Sequence, residues 1–144
     1  MNAKKASEPI VLDTNIVLDA FVFKDPATEP LVQALQEGRL QWIATAPMRD
    51  ELERVLAYPK IVKRLAFHQM PAAEVLERFD AQAQTVAVAA KAPVTCKDPD
   101  DQKFIDLAVG HQAMVLSKDQ AVLCMAKRLL ALGSLAQAAI KTIA

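Results

Sequence analysis

A parallel α/β fold, with helices covering both faces of the sheet, is the architecture that this chain of 144 residues predicts. Short apolar runs at residues 10–12, 40–45 and 113–117 read as strands, the first of them buried on both faces. They alternate with longer stretches whose apolar residues recur at helical spacing, the pattern of a parallel sheet with crossover helices. A hydrophobic content of 53% supplies a sizeable core at this length.

Residues 1–8 read as a flexible tail and 9–144 as a single domain. Pro9 opens the first strand, which ends at Asp13, and Thr14 or Asn15 can cap the helix that follows. That helix, 15–23, carries Ile16, Val17, Ala20 and Phe21, and Asp25-Pro26 breaks it. A further helix runs over 30–37, with Gly38 as its stop signal. After the strand at 40–45, Thr45 can cap a helix from Pro47 to about Tyr58, which Pro59 limits. Helices at 60–68 and 71–85 follow, then a strand at 86–90, although its alanines offer a sheet little to pack. Asp98-Pro99 opens a helix to about Val109, and residues 113–117 form the next strand. Asp119 then begins a long last helix to about Leu132, and the tail 137–143 adds an edge strand.

Seventeen basic and seventeen acidic residues cancel, so any nucleic-acid binding needs a local basic patch rather than total charge. Cys96 and Cys124 have neither CxxC spacing nor partners for a zinc site. They read as buried or half-buried thiols in a reducing compartment. His68 and His111 are solitary and read as surface or helix-end residues. Glu8 and Asp13 interrupt what would be the apolar part of a signal peptide, and no apolar run is long enough to span a bilayer. A soluble cytoplasmic protein with no membrane partner is the expectation.

The chemistry is in the acids. Asp13 stands at the carboxyl end of a buried strand, where open α/β sheets bind ligands, and Asp119 stands just beyond another. Glu51 lies within the apolar stripe Met48, Leu52, Val55 and Leu56, whereas Asp50 and Arg54 form an ordinary i,i+4 surface pair on the other side. Asp101 leads the face Phe104, Ile105, Ala108, while Asp106 lies about 140° away and should be solvated. Asp98 is a helix cap first and a supporting group second. Asp13, Glu51, Asp101 and Asp119, gathered at one sheet edge, would repel one another unless a hard divalent cation were present. An oxygen-only site suits Mg²⁺ or Mn²⁺.

The ordered set Leu12-Asp13-Thr14-Asn15, Asp50-Glu51-Leu52 with Val55-Leu56, Asp98-Pro99-Asp100-Asp101 with Phe104 and Ala108, and Leu116-Ser117-Lys118-Asp119 resembles the PIN-domain family. It is most similar to the branch of toxin components of bacterial toxin–antitoxin systems, over about 10–132. The resemblance implies a Rossmann-like three-layer α/β/α sandwich with a central, mostly parallel sheet. It also implies a metal-dependent endoribonuclease that uses Mg²⁺ or Mn²⁺ on Asp13, Glu51, Asp101 and Asp119 and leaves a 5′-phosphate and a 3′-hydroxyl. Asn15 and Ser117 match polar positions that help to order the site; Asp19 departs from the small or hydroxyl residue often found there. Arg49, Lys97, Lys103 and Lys118 are candidate RNA contacts, with RNA as substrate and a cognate antitoxin and a second copy as partners.

The alternative from another class is a non-catalytic module of this fold that binds RNA or protein. A haloacid-dehalogenase-type phosphotransferase needs a second acid two residues after the first, where Asn15 stands. A phosphate-receiver domain needs an acidic pair that the first strand lacks.

Overall fold

The computed structural model describes residues 7–140. Five strands form one all-parallel sheet: β1 (Glu8–Leu12), β2 (Leu40–Ala44), β3 (Gln84–Thr85), β4 (Met114–Leu116) and β5 (Ala136–Gln137), in the order β3-β2-β1-β4-β5. The chain steps outward from β1 to β3 and then returns to the other side of β1. The strand order therefore reverses between β1 and β4, and a crevice opens at the carboxyl ends there. Ile10 sits between Trp42 and Met114 in register, and Ile10 and Val11 are fully buried, as a central strand covered on both faces requires.

The helices are α1 (Thr14–Phe21), α2 (Glu29–Gln36), α3 (Ala46–Leu56), α4 (Pro59–Phe67), α5 (Ala72–Gln82), α6 (Gln102–His111), α7 (Gln120–Leu123) and α8 (Ala126–Ala131). Together with the sheet they make a three-layer α/β fold. Trp42 anchors one side of the core: Phe21 stacks on it at 5.7 Å between centroids, and Phe79 meets it edge-on at 5.0 Å. Met48, Leu52 and Leu56 bury the inner stripe of α3, and Phe104, Ile105 and Ala108 that of α6. Gly38 ends α2 at a φ of +74°, where a side chain would be strained. Among the described residues, no helix is long and apolar enough to cross a membrane.

Several elements differ from expectation. Glu8 belongs to β1, opposite Leu40, rather than to a tail; the rest of that tail, apart from Ser7, lies outside the described residues. β3 precedes the expected 86–90: Val86 N–H makes a last bond to the Ala44 carbonyl (2.8 Å), and the chain then leaves the sheet. Small alanines and Pro93, which lacks an N–H, give the following stretch nothing to hold a ladder. Lys91 ties it instead, donating to the carbonyls of Ala92 and Val94. Asp106 is not merely solvated, because it accepts the Ala92 N–H at 2.9 Å and anchors this connection to α6. The long final helix is two helices, divided by a tight turn at Cys124–Met125 in which Met125 N–H bonds the Val122 carbonyl at 3.0 Å. The edge strand is only Ala136–Gln137: it starts one residue early, residues 138–140 carry no strand, and residues 141–143 of the expected span lie outside the described residues. Cys96 is buried as expected but Cys124 is exposed; both thiols donate to the Ala121 carbonyl, at 3.3 and 3.5 Å. His68 and His111 sit at the ends of α4 and α6.

Trp42→Ala should cost about 3–5 kcal/mol of stability, because it empties a site between two aromatic neighbours. Urea unfolding will show this as a lower midpoint at an unchanged slope; a loss under about 1 kcal/mol would contradict the packing described here.

Candidate active site

Leu12 lies opposite Leu116, so β1 and β4 end level with one another. Their next residues, Asp13 and Ser117, therefore meet at the strand-order reversal, where Ser117 Oγ donates to Asp13 Oδ2 at 2.6 Å. Asp13 Oδ1 accepts the Asn15 backbone N–H at 2.7 Å. The cap of α1 is thus Asp13 itself, not Thr14 or Asn15, since its carboxylate reaches the free amide two residues on. Asn15 contributes through its backbone, with its side chain exposed at the crevice. Ser117 Oγ also accepts the Asp119 N–H at 3.0 Å, and Asp119 Oδ1 caps α7 by accepting the Ala121 N–H at 2.9 Å.

A 3₁₀ turn at Pro99–Asp101 leads into α6. Asp98 caps it by accepting the Asp100 N–H at 2.9 Å, and the turn directs Asp101 inward. Asp98, Asp101 and Asp119 each offer an oxygen within 4.8 Å of the others. Asp101 is only 8% exposed, and its Oδ2 is buried without a hydrogen-bond partner. No donor from the rest of the chain satisfies this buried oxygen, so it is served either by a proton shared with its acidic neighbours or by a cation.

Glu51, from the first half of α3, is held from two sides. Thr14 Oγ1 donates to Oε2 at 2.5 Å, and the Lys103 ammonium pairs with Oε1. Asp13, Glu51 and Asp101 line one open crevice of about 220 Å³, together with Thr14, Asn15, Arg54, Tyr58 and Asp100. The structure therefore divides the acids picked out in the sequence. Asp101 and Asp119 share the tightest cluster with Asp98, which the sequence marks as a cap. Asp13 and Glu51 share the crevice with Asp101 but are engaged by Ser117 and Lys103.

Electrostatics follow from this crowding. Burial pushes the Asp13 carboxyl above its ordinary value, and the bonds from Ser117 and Asn15 oppose the shift. Asp101 is pushed up to about 8, by burial first and then by hydrogen bonding to Asp119 and the charges of Asp119, Asp13 and Asp98. The Asp119 carboxyl is lowered by the same contact with Asp101 and by the Ala121 amide. At neutral pH the cluster relieves its repulsion by keeping a proton on Asp101. A divalent cation does the same with a larger charge, and an all-oxygen donor set suits a hard one.

The candidate RNA contacts are differently placed. Arg49 makes a two-pronged pair with Asp80 (2.7 and 2.8 Å), Lys118 pairs with Asp19, and Lys103 is committed to Glu51. Lys97 is exposed. Arg54 and Tyr58, which the sequence did not single out for the site, also line the crevice. Arg54 is not paired with Asp50 but shares the crevice side of α3 with Glu51 at i+3, and Tyr58 joins it from the corner between α3 and α4. The i+3 spacing was the signal available for Arg54.

A parallel sheet with carboxylates gathered at its order reversal defines an α/β protein with an acidic crevice and, sharing Asp101 with it, a cluster of three aspartates that could hold a metal ion. A family model described as PIN domain matches residues 9–121, and the chain belongs to that family, whose members are generally nucleases. No curated protein matches the chain.

The raised Asp101 carboxyl sets a pH dependence. Between its ordinary 3.8 and about 8 the folded chain holds a proton that the unfolded chain has released. With no divalent ion added, stability should therefore fall as pH rises through that window, and Asp13 adds to the same slope. A cation must displace the proton, so Mn²⁺ should raise Tm more at about pH 8.5 than at about pH 6. Thermal melts with and without Mn²⁺ measure this; equal shifts at both pH values would contradict the proton on Asp101.

Proposed function

We propose that the chain is a metal-dependent endoribonuclease, a single nuclease unit over residues 9–144 that hydrolyses RNA phosphodiester bonds as the toxin component of a toxin–antitoxin pair in the cytoplasm. The observation that carries this reading is that buried Asp101, whose Oδ2 receives no donor from the rest of the chain, offers an oxygen within 4.8 Å of oxygens of Asp98 and Asp119. Asp101 and Asp119 would hold Mg²⁺ or Mn²⁺ with Asp98, and Asp13 adds a further carboxylate in the same crevice. Bound there, the ion would polarise the scissile phosphate and make a bound water a stronger nucleophile.

The chain's own groups supply the rest. Ser117 fixes the rotamer of Asp13 and, through the Asp119 N–H, the start of α7. Thr14 orients Glu51 so that Oε1 faces Lys103. A substrate phosphate that drew Lys103 toward itself would release Oε1 to accept a proton from the attacking water. The toxin role rests on the resemblance of the motifs to that branch of the family; its antitoxin would cover the acidic crevice, and a second copy is a further partner.

The lysine on Glu51 favours the alternative, a non-catalytic module that binds RNA or protein. A single experiment separates the two: single-turnover cleavage of an RNA oligonucleotide with Mn²⁺, comparing wild type with Asp101→Asn and Asp119→Asn. Cleavage should fall at least about 100-fold in each variant, since even supporting residues at metal sites are worth 10–100-fold. Cleavage at the wild-type rate in both would exclude the metal mechanism. Calorimetry that detects no specific Mn²⁺ uptake by wild type would leave the binding module.

A further inference from the structure

Beyond the acids, α3 and the corner that follows it carry a second line of side chains into the crevice. Glu51, Arg54 and Val55 follow one another on α3 at i, i+3 and i+4, and Tyr58, in the extended corner between α3 and α4, lines the crevice with them. Tyr58 lies just past the end of α3, on the same crevice as Glu51 but seven residues further along the chain. The residue is 53% exposed, yet its backbone is pinned at the corner where α3 meets α4. The Tyr58 N–H bonds the Val55 carbonyl at 3.0 Å, its own carbonyl accepts from Ile61 and Val62, and Pro59 follows. An open ring on a fixed backbone is a preorganised platform that loses little freedom when a flat partner stacks on it. Arg54, one turn nearer the acids, is exposed and has no carboxylate within pairing distance among the described residues, unlike Arg49, Lys103 and Lys118.

We propose that Arg54 and Tyr58 form a nucleotide subsite on the rim of the acidic crevice, Arg54 holding a backbone phosphate and Tyr58 stacking the adjacent unpaired base. The inference deepens the reading of the crevice as a nuclease site and rests on it. The subsite also answers how RNA approaches a pocket of carboxylates in a neutral chain: a guanidinium and an aromatic face lie beside the acids, outside their closest cluster. A base locked in a duplex cannot reach the ring, so the ligand is a single-stranded segment whose bases can splay out. Stacking of this kind tolerates any base.

Binding of fluorescent single-stranded oligoribonucleotides by the full chain, followed by anisotropy in EDTA so that no metal-dependent cleavage intervenes, tests it. The probes are one intact strand and a set carrying a single abasic position walked along it. Wild type should lose roughly tenfold in affinity when the abasic position falls at one register. Tyr58→Ala should bind the intact strand about as weakly and be indifferent to the abasic position, whereas Tyr58→Trp keeps both affinity and register. Arg54→Ala should lower the salt slope by about one. Unchanged binding by Tyr58→Ala, abasic sensitivity that survives in it, or no binding by wild type would overturn the subsite. Cleavage with Mn²⁺ is scored separately. A wild type with Tyr58-dependent register that cuts nothing defeats the nuclease reading alone, and cleavage that Tyr58→Ala leaves at wild-type KM defeats the subsite alone.

Discussion

The bond from Ser117 Oγ to Asp13 Oδ2 holds the two central strand ends in one arrangement. Parallel pairing of Leu12 with Leu116 brings the residues level, and a donor at position 117, with the Asn15 N–H, offsets the cost of burying the Asp13 carboxylate there. The same oxygen accepts the Asp119 N–H, so a fully buried hydroxyl ties β1, β4 and the entrance to α7 together. Asp119 is thereby placed against Asp101, and the cluster follows from a backbone register set by apolar packing several residues away.

Packing and charge pull against each other around that bond. The apolar stripes of α3 and α6 bring acids to the carboxyl edge of the sheet because the same helical faces carry both. The sheet tolerates them in three ways. A proton on Asp101 and a lysine on Glu51 each neutralise one carboxylate locally, and amide and hydroxyl donors stabilise the charge on Asp13. None of these devices strengthens the core. They are the arrangement expected where a ligand of opposite charge, rather than stability, sets the residue types.

Much of this was legible in the sequence, for identifiable reasons. Strand ends at Asp13 and Asp119 could be read because a short apolar run followed by a capping acid has few other meanings in an α/β chain. Asp101 could be read from its phase with Phe104 and Ala108. The position of Asp98 within the cluster could not, because it depends on a 3₁₀ turn ahead of α6, which helical periodicity does not distinguish from a first α turn. Lys103 on Glu51 was hidden for another reason: the contact joins α3 to α6 across 52 positions, and nothing local marks it. Arg54 was misplaced because an i,i+4 acid at Asp50 offered a nearer partner, although the crevice face lay in the same helix. β3 escaped because its pairing is defined by where Ala44 ends rather than by its own residues.

The committed and uncommitted cations give the crevice a direction. Lys103 faces the acids and is spent on Glu51, while Asp80 and Asp19 take up Arg49 and Lys118. Arg54 remains on the wall, between Glu51 and the ring of Tyr58. If the proposed subsite holds, a polyanion entering from the Tyr58 side would meet an aromatic face and a guanidinium before the carboxylates. Repulsion by the acids would then be met only after attractive contacts had formed. In a chain of zero net charge, such an order of contacts would replace long-range attraction as the means of bringing a phosphate to an acidic site.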